Sequence, residues 1–224
     1  MCGRFSLIVS EEELKKAFSV SGDIEVPTSY NIPPGQDIPA VRGPSDQSDE
    51  RELVSLQWGL VPFWADEPDI GSNLINARAE TVHEKPSFRD AYEKRRCIIP
   101  ASGFYEWKSE NGSKQPYYIK PKEDPLFGFA GLWESWTDEE RDQELNSCTI
   151  ITTSPNRIMK PIHNRMPVIL PTSRYDPWLD PDQDPEHLSS FLTPCQSSQM
   201  DAYAVSSEVN NPEYDNPSCI EPAG

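Results

Sequence analysis

The first residues of the 224-residue chain, Met1-Cys2-Gly3-Arg4-Phe5, contain its most reactive combination of groups. Excision of Met1 would leave Cys2 with a thiol and a free α-amine on one residue, a nucleophile beside a base. An α-amine has a pKa of about 7.7–8.0 and a thiol about 8.5, so roughly a tenth of each is reactive at pH 7 without further help. A 1,2-aminothiol has a characteristic electrophile, the aldehyde. The amine condenses to an imine, the thiol adds to the imine carbon, and a thiazolidine closes with both heteroatoms already at short range. No cofactor is required. The small side chain of Cys2 suits removal of Met1 by ordinary processing, Gly3 leaves room for a substrate, and Arg4 supplies a cation for an anion. The same start also suits a chain whose thiol does nothing, and these five residues alone do not choose.

Three further positions could do chemistry, each with a plainer alternative. Glu106 sits inside the strand-like run Phe104-Tyr105-Glu106-Trp107-Lys108, with Tyr105 and Trp107 on the opposite face; it either faces solvent or meets a polar partner in a cleft. His163 lies with Arg165 in the proline-bounded turn Pro161–Pro167, where it either caps the turn or titrates near its ordinary value of about 6.5. Phe63-Trp64 ends the run that begins at Gly59. Such a pair is core, or else Trp64 stands at a cleft and stacks on a nucleobase, worth about 1–3 kcal/mol per base.

The elements that position these residues are short. Ser10-Glu11-Glu12-Glu13, followed by Leu14, Ala17 and Phe18, predicts a capped helix to about Phe18. Tyr30–Gly35, with two prolines, reads as a rigid turn before a strand at Ile38–Val41, and Gly43–Arg51 as an acidic mobile loop. Strands are expected at Leu53–Trp58, Cys97–Pro100, Leu126–Trp133, Cys148–Thr153 and Val168–Leu170, and a helix over Phe88–Arg95 with Phe88, Ala91 and Tyr92 on one side. Phe104–Lys108 and Pro116–Lys120 flank Asn111-Gly112 as a hairpin whose loop exceeds the two-residue minimum. An acidic loop is expected over residues 137–146, a short helix from Pro185 through Leu192, and an irregular tail from about residue 201.

Length predicts one domain over residues 1–224, and 23 prolines with 36% hydrophobic residues predict short strands and long loops. With no apolar run of 18 residues and no leader, the sequence reads as a soluble, cytoplasmic, monomeric protein with no membrane partner. Five cysteines, an odd number without a CxxC spacing, indicate neither a disulfide framework nor a metal site; Cys97 and Cys148 read as core thiols. A net charge of −17 excludes nucleic-acid binding through a broad basic face, so any anionic partner must be met locally. The surplus of 37 acidic residues over nine lysines resembles the solvated surfaces that halophiles use.

Taken together, these blocks resemble the SRAP family, the SOS-response-associated peptidases that sense abasic sites in DNA. The resemblance runs from Met1-Cys2-Gly3-Arg4-Phe5 through Tyr30-Asn31, Trp58-Gly59, Asn76-Ala77-Arg78-Ala79-Glu80-Thr81, Gly103–Trp107, Gln115-Pro116-Tyr117, Ala130–Trp133 and His163-Asn164-Arg165-Met166-Pro167 to Val205-Ser206. It implies an α+β, mostly β fold, a single domain with a central curved antiparallel sheet and peripheral short helices. It implies a cleft for single-stranded DNA in which the processed Cys2 captures the ring-opened aldehyde of an abasic site. By the same resemblance Glu106 is the acid/base, Asn76 holds the adduct and His163 assists proton transfer at the sugar oxygen. Arg4, Asn31, Arg78 and Arg165 contact DNA, Pro34 and Trp64 wedge the strand, and the protein joins the nucleoid when bound. Two departures stand out: Asn210–Asp215 is acidic where the family carries a lysine, and Ala65 replaces a second aromatic after Trp64.

Two other classes compete. Class II glutamine amidotransferases also begin Met-Cys-Gly and use the cysteine against an amide, though the downstream Asn-Gly and Gly-Asp elements of such a domain are not matched here. A non-catalytic binder of single-stranded DNA needs the arginines and Trp64 but not Cys2 or Glu106. The peptidase part of the family name implies self-removal of a leader; with only Met1 ahead of Cys2, an aminopeptidase suffices, and the sequence gives no support for general protease activity.

Overall fold

Runs of two to twelve residues become strands in the computed structural model, which describes residues 2–22, 24–44, 50–110, 112–138 and 142–223. In chain order the strands are β1 (Phe5–Leu7), β2 (Val20–Ser21), β3 (Ser29–Ile32), β4 (Asp37–Arg42), β5 (Arg51–Trp58), β6 (Asn76–Arg78), β7 (Arg96–Ala101), β8 (Gly103–Glu110), β9 (Ser113–Pro121), β10 (Phe127–Asp138), β11 (Gln143–Thr153), β12 (Met166–Pro167), β13 (Ile169–Leu170) and β14 (Met200–Ala204). Between them lie the helices α1 (Glu11–Phe18), α2 (Arg89–Lys94), α3 (Tyr175–Leu179) and α4 (Pro185–Ser189). The α+β, mostly β class expected from the sequence is the class observed. No helix among the described residues is long and apolar enough to cross a membrane.

The strands form two sheets. The smaller is antiparallel in the order β14-β9-β8-β1-β3. The larger runs β12-β11-β10-β7-β4-β5-β2, and a parallel pairing of Ser147-Cys148 with Gln57-Trp58 joins β11 back to β5. That pairing closes β4, β5, β11, β10 and β7 into a small barrel, which protects those strands' edges. Both sheets are mainly antiparallel, with parallel pairs where β2, β6 and β11 add.

Aromatic residues hold the sheets together. Phe5 of β1 packs edge-on against Trp58 at 5.2 Å and Phe129 at 6.3 Å, and Phe104 of β8 meets Phe129 at 5.9 Å. The alternate residue of β8, Tyr105, points to the other face, where Tyr118, Val205, Val209 and Cys219 form a second cluster beneath the tail. Cys97 and Cys148 are fully buried in the main core. Helix α1 begins as expected: Ser10 accepts from the Glu13 amide while the Glu13 carboxylate accepts from the Ser10 amide at 2.9 Å, and Leu14 and Phe18 are buried.

Several boundaries differ from the sequence reading. The β8–β9 register reaches Glu110 opposite Ser113, so only two residues join the strands, of which Asn111 lies outside the described residues. The acidic stretch 137–146 is mostly ladder, since β10 and β11 pair out to Asp138 opposite Gln143; Trp136 anchors this ribbon by donating from Nε1 to the Ala65 carbonyl at 2.7 Å. Residues 139–141 of that stretch, and 45–49 of the other acidic loop, lie outside the described residues. The tail is not irregular from residue 201: β14 adds to β9 and runs to Ala204. The segment read as one strand at Val168–Leu170 crosses between neighbours, the Val168 amide donating to Ile151 of β11 and its carbonyl accepting from Ala130 of β10. Helix α4 stops at Ser189, although Phe191 and Leu192 are still buried.

Because Phe129 touches both sheets' aromatic side chains, Phe129→Ala is expected to cost about 3–5 kcal/mol, the range for deleting a buried ring. Urea unfolding monitored by tryptophan fluorescence measures it, and a cost below about 1 kcal/mol would show that the sheets do not depend on this contact.

Candidate active site at the seam between the sheets

Strand β1 is an interior strand, with Phe5 opposite Phe104 of β8 and Ile32 of β3. The pairing continues beyond it, as the Tyr105 amide donates to the Arg4 carbonyl at 2.9 Å. Gly103 permits the close approach: a Cβ there would run into the Tyr118 ring, whose hydroxyl lies 2.8 Å from the Ser6 hydroxyl. With Tyr105 turned toward the tail cluster, Phe104 and Glu106 face the larger sheet. Register turns Glu106 toward the larger sheet, the side on which Cys2 is buried in the main core.

Glu106 is 2% exposed, so the solvated alternative is excluded. Burial raises its pKa to about 7. Its carboxylate lies 3.7 Å from Nδ1 of His163, which the segment ahead of β12 carries in from the other sheet. Nδ1 lies 3.1 Å from the Arg165 amide, from which it accepts in one tautomer, and 3.3 Å from the Arg165 carbonyl, to which it donates in the other. Burial lowers the His163 pKa. The two shifts oppose charging either member, and Glu106, raised to about 7, can give or take a proton near neutral pH.

Cys2 is fully buried. Burial, with the Glu106 charge adding to it, raises its thiol well above the ordinary range, so the free-thiolate fraction expected from an unperturbed cysteine is not present here. Reaction at this sulfur needs a base close by. Asn76, at the start of β6, donates from Nδ2 to the Cys2 carbonyl at 2.8 Å, and its Oδ1 is buried without a hydrogen-bond partner among the described residues. The parallel pairing of Asn76 with Ile150 of β11 sets that position. Cys2, Asn76, Glu106 and His163 thus converge on one seam.

The residues expected to meet DNA are more scattered in role. Arg78 is exposed, and Pro34 is half-buried in the turn after β3. Trp64 is 47% and Phe63 53% exposed, so this pair is not core. Arg4 donates to Asn31 Oδ1 at 2.7 Å and to the Val209 carbonyl at 2.9 Å. Asn31, at 1% exposure, gives its own amide protons to the carbonyls of Val209, Asn211 and Tyr214; the geometry makes it an anchor for the tail rather than a surface contact. The acidic tail is bound by the same edge, Asp215 accepting from the Ser29 hydroxyl at 2.7 Å and the Tyr30 amide at 2.5 Å. Arg165 is clamped by Glu80 at 2.6 and 2.9 Å and also donates to the Thr152 carbonyl. This clamp lowers the Glu80 pKa.

Sequence reasoning missed Glu80, quoted only as part of a block, and the far wall of the cleft. That cleft, about 430 Å³, is lined by Glu106, Trp107, Ser109, Lys114, His163 and Asn210. Lys114 lies opposite Ser109 in the β8–β9 ladder, and a shorter turn than expected carries it there.

Residues 1–212 match the family described as SOS response associated peptidase (SRAP). The chain belongs to that family. It is 46% identical to the abasic site processing protein YoqW of Bacillus subtilis (strain 168), with 99% of each chain covered. It is 29% identical to the abasic site processing protein HMCES of Xenopus tropicalis, covering 98% of this chain and 78% of that one. Among solved structures, a protein from Bacteroides thetaiotaomicron superposes with a TM-score of 0.91 at 30% identity over the full length of both chains.

A carboxyl whose folded pKa is raised contributes its stability below its unfolded value, about 4.3, and loses it as pH rises through about 7. Glu106→Gln cannot ionise and escapes that loss. Its stability relative to wild type should therefore improve by on the order of 3 kcal/mol between about pH 4.5 and 8.5 in parallel urea titrations. A pH-independent difference would mean that Glu106 is not held in its uncharged form by burial.

Proposed function

We propose that this protein senses abasic sites in single-stranded DNA and captures them through Cys2, freed of Met1, as a covalent thiazolidine cross-link that shields the lesion during the DNA damage response. The observation that carries this reading is the convergence of Cys2, Asn76, Glu106 and His163, from four distant segments, on one buried seam. Membership of a family whose relatives are named abasic site processing proteins supports the substrate.

The chemistry follows from the protonation states. As the neutral acid, Glu106 protonates O4′ of the closed sugar through one oxygen while its other oxygen takes the C1′ hydroxyl proton, so the C1′–O4′ bond opens to the aldehyde. Nε2–H of His163 donates a hydrogen bond to O4′ as charge develops there. The Cys2 amine adds to C1′ and one of its protons passes to the former carbonyl oxygen, giving a carbinolamine; Glu106 protonates that hydroxyl, which leaves as water and so forms the iminium. The buried thiol gives its proton to the Glu106 carboxylate as sulfur adds to C1′, which closes the neutral ring. Oδ1 of Asn76, a buried acceptor, takes a hydrogen bond from the new ring nitrogen. Exposed Trp64, with Pro34 and Arg78, provides the surface that bends and holds the strand. The protein works as a monomeric single domain in the cytoplasm, at the nucleoid when bound.

Mass spectrometry of the protein with uracil-containing single-stranded DNA and a uracil glycosylase should give an adduct equal to protein without Met1 plus DNA minus one water. It should survive heat and detergent without borohydride. Cys2→Ser should lose that stability, and one uncleaved extra residue before Cys2 should abolish the adduct; its formation by the extended protein would overturn the mechanism.

Glu106→Gln and His163→Ala should each slow cross-linking, within the range of about 10²- to 10⁴-fold typical of general acid–base groups, while affinity for undamaged single strands stays within a few-fold. Equal losses of rate and affinity would instead assign both residues to binding.

A further inference from the structure

The cleft that holds Glu106 and His163 has one wall with no role in the chemistry above. Trp107 and Ser109 of β8, Lys114 of β9 and Asn210 of the tail form it. The Trp107 indole is fixed, since Nε1 donates to Asn210 Oδ1 at 2.6 Å and the ring packs against the tail cluster, yet it is only half-buried. Lys114 is exposed at the cleft and near enough to His163 for its charge to act on the ring. It belongs to a chain with a net charge of −17 and only nine lysines, so a lysine beside the reacting groups is not the background of this surface. Arg165 approaches His163 from the larger sheet, through the bond from its amide, whereas Lys114 approaches from the hairpin of the smaller one. His163 therefore feels the charge of cations from both sheets, Arg165 and Lys114.

We propose that Lys114 and Trp107, the latter held by Asn210, form a nucleotide subsite for the residue next to the abasic sugar, Lys114 taking its phosphodiester and the Trp107 face its base. This inference rests on the proposed capture of abasic DNA and adds to it a second, flanking contact. A cation and an aromatic face on one wall are the two features that bind single strands without reading sequence. An abasic residue offers no base to stack, so the protein must hold the lesion by its neighbours. A flat indole and a phosphate contact serve that purpose whatever the neighbouring base is.

The test uses the full protein and a fluorescent abasic oligonucleotide. Lys114→Gln should raise the DNA concentration for half-maximal cross-linking several-fold, by a larger factor than it changes the rate at saturation, and Lys114→Arg should restore wild-type behaviour. On undamaged strands the slope of log affinity against log salt should become shallower by roughly 0.7, the value for one lost phosphate contact on single strands. When the oligonucleotide ends at the lesion on one side, the difference between wild type and Lys114→Gln should disappear for one polarity only. Unchanged affinity and slope, or a difference that persists with both truncated oligonucleotides, would overturn the subsite. The anisotropy measurement on undamaged strands does not depend on capture, so failure of wild type to cross-link would count against the proposed function separately.

Discussion

Strand β1 is three residues long and lies inside a sheet, so the position of Cys2 is set by ladders on both of its edges. Pairing with β8 puts Phe104 opposite Phe5, and the two-residue period then delivers Glu106 to the face that carries Cys2. A slip of one residue in that register would turn Glu106 outward and Tyr105 into the core. The aromatic packing of Phe5 and Phe104 on Trp58 and Phe129 opposes such a slip. Core packing and site geometry are therefore one constraint.

The barrel contributes the other half. Its parallel β5–β11 closure fixes β11, and β11 in turn holds β6, which carries Asn76, and β12, which follows His163. The seam is where two independently braced sheets meet, and burial there moves each titrating group in the direction that favours its neutral form. A buried carboxyl near neutrality serves as acid and base by turns, which a solvated one with a pKa of about 4.3 does poorly at pH 7.

Much of this was legible in the sequence because local patterns dictate it. The capping box of α1, the strand runs and the opposite facing of Tyr105 and Glu106 follow from periods of 3.6 and 2. The burial of Glu106 was not legible, since alternation names a face without saying what covers it. The covering segment carries His163, 57 positions along the chain. The clamp on Arg165 by Glu80 joins residues 85 apart, and Asn31 binds a tail some 180 residues on. The Thr137–Asn146 stretch misled because acidic composition suggests a loop, whereas a two-stranded ribbon tolerates charge on exposed faces.

The charge balance gives these long-range pairs a further meaning. In a chain of −17, a free arginine would attract whichever carboxylate lay nearest, so the cations that the proposed function assigns to phosphates need a defined resting partner. Arg165 has one in Glu80, a carboxylate that presents two oxygens to the guanidinium as a phosphate would. Arg4 has its own in the Asn31 oxygen and the Val209 carbonyl. Such partners hold the side chains in extended, ordered rotamers, and this lowers the entropy lost when a strand arrives. They also set a threshold, because an incoming phosphate at Arg165 must share the guanidinium with Glu80 or displace it. Under the proposed capture, this arrangement keeps affinity for undamaged strands modest and leaves the covalent step, which needs the aldehyde, to decide where the protein remains.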